Sequence, residues 1–141
     1  MLLGNLIGLV ISVAARWPAE FGGVGDPDNV AREFFSRGTL LAAPLAPLVA
    51  LVVSAFLALR AGGWLRVLGL VGLMVIGVLF IIGTLGEPQR PEASDPPVVF
   101  LLAWQAVFIA ISAMQIVLAG AELFQRVRPR GAALGPSSDE G

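Results

Sequence analysis

Residues 67–85 read VLGLVGLMVIGVLFIIGTL, nineteen positions without an acidic, basic or amide side chain. A bilayer core about 30 Å thick needs about 20 apolar helical residues, each rising about 1.5 Å. Three further long apolar stretches hold no acidic or basic residue in their interiors: residues 2–15, 40–59 and 98–123. The first falls somewhat short of a bilayer; the other two reach it. The pattern predicts an all-α integral membrane protein with four transmembrane helices in a compact up-down bundle. The helices are expected at 1–17, 39–60, 65–86 and 97–125. They are joined by an outside loop at 18–38, a short cytoplasmic turn at 61–64 and a Pro-rich outside loop at 87–96. A disordered cytoplasmic tail follows at 126–141.

Composition agrees with that class. The chain is 57 % hydrophobic and 13 % charged, where a soluble domain carries about 25 % charged residues. A net charge of −1 leaves no polyanion footprint, so nucleic acid is not an expected partner. Cys, His, Tyr and Lys are all missing. Disulfides, thiolate metal sites, imidazole ligands and Schiff-base chemistry are therefore outside its reach. No cofactor and no metal is expected. The acids lie in the expected loops and tail, with Glu122 at a helix end, and no spacing supports a catalytic pair. The protein is not expected to be an enzyme. All nine basic residues are Arg, among abundant Ala, Gly, Val and Leu, a composition typical of a GC-rich bacterium. The expected location is the bacterial inner membrane.

The first stretch admits two readings. Val13-Ala14-Ala15 resembles a signal-peptide cleavage site. Against cleavage stand the missing basic n-region and the Arg16-Trp17-Pro18 stop, which suits a retained short helix. Orientation follows Arg placement. Arg60, Arg66, Arg126, Arg128 and Arg130 fall on one side of a four-helix plan, and Arg16, Arg32, Arg37 and Arg90 on the other. The denser side is taken as cytoplasmic, with both termini there. Trp17 and Trp64 sit at expected interfaces as aromatic anchors; Trp104 lies deeper, as a packing residue.

Within the first outside loop, Asp26-Pro27 reads as an N-cap and first helical position. Asp28/Arg32 and Glu33/Arg37 are spaced i, i+4. A short interfacial helix is expected near 27–36, with Val30, Ala31, Phe34 and Phe35 on its apolar face.

The last stretch carries Gln105, Phe108, Ser112, Gln115, Ala119 and Glu122 at alternating spacings of three and four, within about 100° on a helix. Such a polar stripe faces protein or water rather than lipid. Gln105, Ser112, Gln115 and Glu122 therefore either bond neighbouring helices or line a polar path. Small residues that permit close helix approach form a second set: Gly4, Gly8 and Ser12, with Asn5 beside them, and Gly69, Gly72 and Gly83 around Ile76 and Phe80. The Gly4–Gly8–Ser12 face suits packing within the chain or a homodimer. Pro44 and Pro47 predict a kink in the outer part of the second helix, a feature that can line substrate sites in transporters.

The size and four-span plan are similar to those of small membrane subunits of multicomponent transporters. That is a likeness of architecture, with no family signature behind it. The expected role is a non-enzymatic scaffold or accessory subunit of a larger membrane complex, in contact with lipid, with that complex or with a second copy. The alternative is a small oligomeric transporter or channel using the polar stripe and the kinked helix.

Overall fold

A computed structural model describes residues 1–19, 25–86 and 96–127. The Pro-rich loop expected at 87–96 lies outside the described residues except for its last position, and the tail from 128 lies outside them altogether. Among the described residues the chain is all-helical: α1 (Leu2–Ala15), α2 (Val30–Glu33), α3 (Leu45–Arg60), α4 (Gly63–Gly86) and α5 (Val98–Val127). α4 and α5 are long and apolar enough to cross a membrane, at 24 and 30 residues. α1 and α3 are shorter apolar helices of 14 and 16 residues.

α3, α4 and α5 pack side by side in that order, with α4 between the other two. α3 and α4 form a tight hairpin through Ala61 and Gly62, closed by Gly63 at φ 57°. Backbones come close where α4 is smallest. A Cβ on Gly69 would strike the Ala58 amide of α3, and one on Gly77 would lie 2.8 Å from the Ile116 side chain of α5. Ala58, Leu70 and Ala119 make one core cluster, and Leu51, Ile76 and Phe80 a second.

α1 departs from the expected up-down bundle. Met1 packs on the Leu51–Ile76–Phe80 cluster, Gly4 faces Phe108, and Gly8 faces Trp104 and the Leu41 carbonyl. The helix thus lies against the first half of α5 and stops beside the middle of α4. From there to Arg66, about 15–21 Å of α4 has no partner from α1. The amino end does not reach the Arg60–Arg66 end of the bundle, where a first span would have placed it. α1 closes at Arg16, which takes the left-handed conformation (φ 58°). The Trp17 amide then donates to Ser12 O and the Arg16 amide to Val13 O, the double bond of a Schellman ending, before Pro18 stops the helix.

The expected second helix also changes. It begins at Leu45, not at residue 39, with Pro44 as N-cap and Pro47 in its first turn. Proline there removes no intrahelical bond, so the expected kink at Pro44 and Pro47 is absent. The chain before Pro44 is held out of helix by the clash a proline imposes on the preceding residue. Its amides find other partners, described below.

The loop helix is one turn, Val30–Glu33, capped by Asn29 and not by Asp26. Asp26 instead accepts bonds from the Asp28 amide and the Asn29 side chain, an Asx turn ahead of the helix. Val30 and Phe34 are buried while Ala31 and Phe35 are exposed. The expected i, i+4 pairs do not form. Asp28 pairs with Arg16 at 3.1 Å, and the Glu33 carboxylate accepts from the Asp26 amide.

Polarity is distributed inside out. The largest fully buried side chains are Asn5, Ser12 and Ser112, while Leu3, Val10, Phe56, Leu59, Val99, Val117 and Leu118 are each more than 60 % exposed. In water this arrangement would leave a large apolar surface uncovered; in hydrocarbon it is the favourable one.

Candidate functional site

One face of α1 carries Asn5, Gly8 and Ser12, all buried. What lies on it is not another helix but the non-helical segment 39–43, which turns tightly between Thr39 and Ala42. The Leu41 amide donates to Ser12 Oγ at 3.2 Å, and the Ala43 amide to Asn5 Oδ1 at 2.9 Å. Trp104 Nε1 of α5 donates to Leu41 O at 3.1 Å. The Leu40 amide donates to Trp17 O at 3.5 Å, and the Thr39 amide to Ala42 O at 2.8 Å. Non-helical backbone is thereby satisfied from side chains on both sides, as a buried turn requires away from water. Gly8 is needed because the Leu41 carbonyl occupies the place of a Cβ.

This arrangement leaves a half-open cleft of about 770 Å³ between segment 39–44, the start of α3, the end of α4 and the first half of α5. Its size falls in the range of small-molecule sites, about 300–1,000 Å³. Ala46, Pro47 and Ala50 form one wall, Leu79, Phe80 and Gly83 the next, and Trp104, Gln105 and Phe108 the third. Phe100, Trp104 and Phe108 stack along α5 with ring centroids 5.4–6.0 Å apart. Most polar groups on the walls are already engaged. Asn5 Nδ2 donates to Met1 O, Thr39 Oγ1 accepts from the Ala42 amide, and Thr84 Oγ1 donates to Phe80 O. Ser36 and Arg37 stand at the edge.

The polar stripe of α5 is divided among several tasks. Gln105 lines the cleft. Ser112 is buried and donates to Phe108 O in its own helix at 2.7 Å. Gln115 Nε2 donates to Leu73 O of α4 at 2.7 Å. Glu122 accepts from Arg66 of α4 at 2.9 Å and from Arg126 at 3.0 Å, clasping the far ends of α4 and α5. Among the small residues, Gly69 and Gly77 sit at close approaches, and Gly72 faces Ser54. A Cβ on Gly83 would meet no atom within 4 Å and the residue opens onto the cleft, so it makes no close helix approach of the kind seen at Gly69. Sequence reasoning missed the roles of Leu41, Ala43 and Trp104. The i, i+7 pair Asn5/Ser12 flanking Gly8 was the visible signal, and it was compatible with any close partner.

In the loop, the bonds from Asn29 and from the Asp28 amide hold the Asp26 carboxyl below its ordinary value. No group of three or more His, Cys, Asp or Glu able to hold a metal occurs among the described residues. No protein-family model matches the chain, and no curated protein or solved structure matches it either.

Proposed function

We propose that this is a membrane-embedded, non-enzymatic accessory subunit or scaffold of a larger complex in a bacterial inner membrane. α3, α4 and α5 cross the bilayer, and α1 enters from the Gly86 end to part depth. This plan replaces four full crossings, because α1 stops beside the middle of α4. The end carrying Arg60, Arg66 and Arg126 is cytoplasmic under the positive-inside tendency. α2 and the cleft then lie toward the outer side.

The observation that carries the role is how the interior polar groups are engaged. Asn5, Ser12, Ser112, Gln115 and Glu122 each bond backbone or an Arg within the chain. They serve cohesion, and the remaining helix faces are apolar and uncovered, as suits contact with lipid or partner helices. The transporter alternative needs polar groups turned to a continuous path, and the α5 stripe is interrupted by such internal bonds.

Extraction of native membranes in mild detergent tests the role. A larger membrane complex should retain this chain at fixed stoichiometry; purification of the chain alone in several mild detergents would count against it. Solute flux through liposomes that falls in Gln105→Leu or Gln115→Leu would favour transport instead.

A further inference from the structure

The cleft has walls of one kind and an edge of another. Asn5, Thr39, Thr84 and Trp104 have side-chain polar groups bonded within the chain. A sugar or amino acid entering the cleft would lose water and find few groups to replace it. An apolar occupant would lose nothing. Exposed Ala46, Ala50, Leu79 and Ile82 belong to the lining, so the opening is continuous with the apolar outer surface. At the edge stands Arg37. Its expected partner, Glu33, is turned to the Asp26 amide, and Arg37 makes no ion pair with any described residue. An apolar slot beside an unpaired guanidinium complements a molecule with a hydrocarbon chain and an anionic head.

We infer that the cleft is a binding site for an anionic phospholipid of the surrounding bilayer, with one acyl chain between α3, α4 and α5 and its phosphate at Arg37. The inference rests on the membrane placement proposed above. The acyl chain would lie against Trp104 and Phe108. Gly83 leaves room for it, since a Cβ there meets no atom within 4 Å.

Trp104 supplies the reporter. A form carrying Trp17→Phe and Trp64→Phe keeps it as the single tryptophan. This form is reconstituted into phosphatidylcholine vesicles doped, at equal mole fraction, with phosphatidylglycerol or phosphatidylcholine bearing brominated acyl chains. Brominated phosphatidylglycerol should compete for the site about five-fold better, the value of one Arg near an anionic lipid, and quench Trp104 correspondingly more. Arg37→Gln should abolish the preference. Gly83→Leu should fill the slot and reduce quenching by both lipids, with an unchanged melting temperature to show an intact fold. Equal quenching by the two lipids, or a preference that survives Arg37→Gln, overturns the inference. So does Trp104 quenching no greater than for tryptophan facing bulk lipid, which would mean that something other than an acyl chain fills the cleft. Flotation with the vesicles separates the two readings. A chain that floats but shows no preference loses only the lipid site; one that fails to float loses the membrane placement as well.

Discussion

At the scale of single residues, the most consequential contacts are the two amides held by α1. Leu41 N–H has Ser12 Oγ as its side-chain partner and Ala43 N–H has Asn5 Oδ1. Ser12→Ala would leave a buried donor without that partner, at about 1–3 kcal/mol. Gly8→Val would drive side-chain atoms into the Leu41 carbonyl, an overpacking cost of about 1–3 kcal/mol or more. Both variants should melt at lower temperature in detergent, whereas Gly62→Ala, whose Cβ meets nothing, should not. A melting point for Ser12→Ala and Gly8→Val equal to that of the parent would remove the docked segment from the account. In the loop between α1 and α3, Asp26 has a carboxyl pKa depressed by bonds from Asn29 and the Asp28 amide. A depressed folded-state value means that its contribution is present above the ordinary value and is lost as pH falls through the lowered one. Protection of the Asp28 amide, its exchange relative to the intrinsic rate at the same pH, should therefore fall on acidification below the usual carboxylate range, and Asp26→Ala should lack that protection at every pH.

At the scale of elements, α3 shows how proline is read by position. Pro47 occupies the first turn of the helix, where its missing N–H would have been unbonded anyway. Pro47→Ala should shift stability by less than about 1 kcal/mol, against the roughly 3 kcal/mol gained when an interior proline is removed. A large rise in melting temperature would show that the helix extends further toward residue 39. The other end of the bundle is held differently. Glu122 bridges Arg66 and Arg126 while about a third exposed. Glu122→Gln weakens a partly solvated cluster and should cost no more than about 1 kcal/mol. Thermal unfolding measures it, and a much larger loss would mean the cluster is drier than its exposure indicates.

At the scale of the whole molecule, the apolar exterior and the Arg-bearing end are what support the proposed placement. The chain contains no Cys, so single introduced cysteines report without background. If α1 enters from the outer side as proposed, Asp28→Cys should react with an impermeant maleimide from outside intact cells. Gly62→Cys should react only after the membrane is opened. A cysteine at Leu2 should not share the accessibility of Gly62→Cys, because Met1 packs beside Ile76 and Phe80, away from the hairpin turn. Matching reactivity of the Leu2 and Gly62 positions would restore a full first crossing.

Read by itself, residues 67–85 and 98–123 already require long apolar helices, since length and hydropathy are properties of consecutive positions and lipid has no water to satisfy an open backbone. Gln115 and Glu122 were legible as inward-facing for the same reason: helical spacing alone puts them on one face. The same spacing joined Asn5 to Gly8 and Ser12, but it could not say that their partner is a turn of chain 29 and 38 residues away. That depended on competition for the 39–43 backbone groups between a helix of their own and the side chains of α1, which accept from the amides, and of α5, which donates to the Leu41 carbonyl. Pro44 weakened the first option, and tertiary contact decided for the second, which shortened α3 and opened the cleft. Local hydropathy is additive along a chain, whereas hydrogen-bond partners are assigned only once distant segments meet in space.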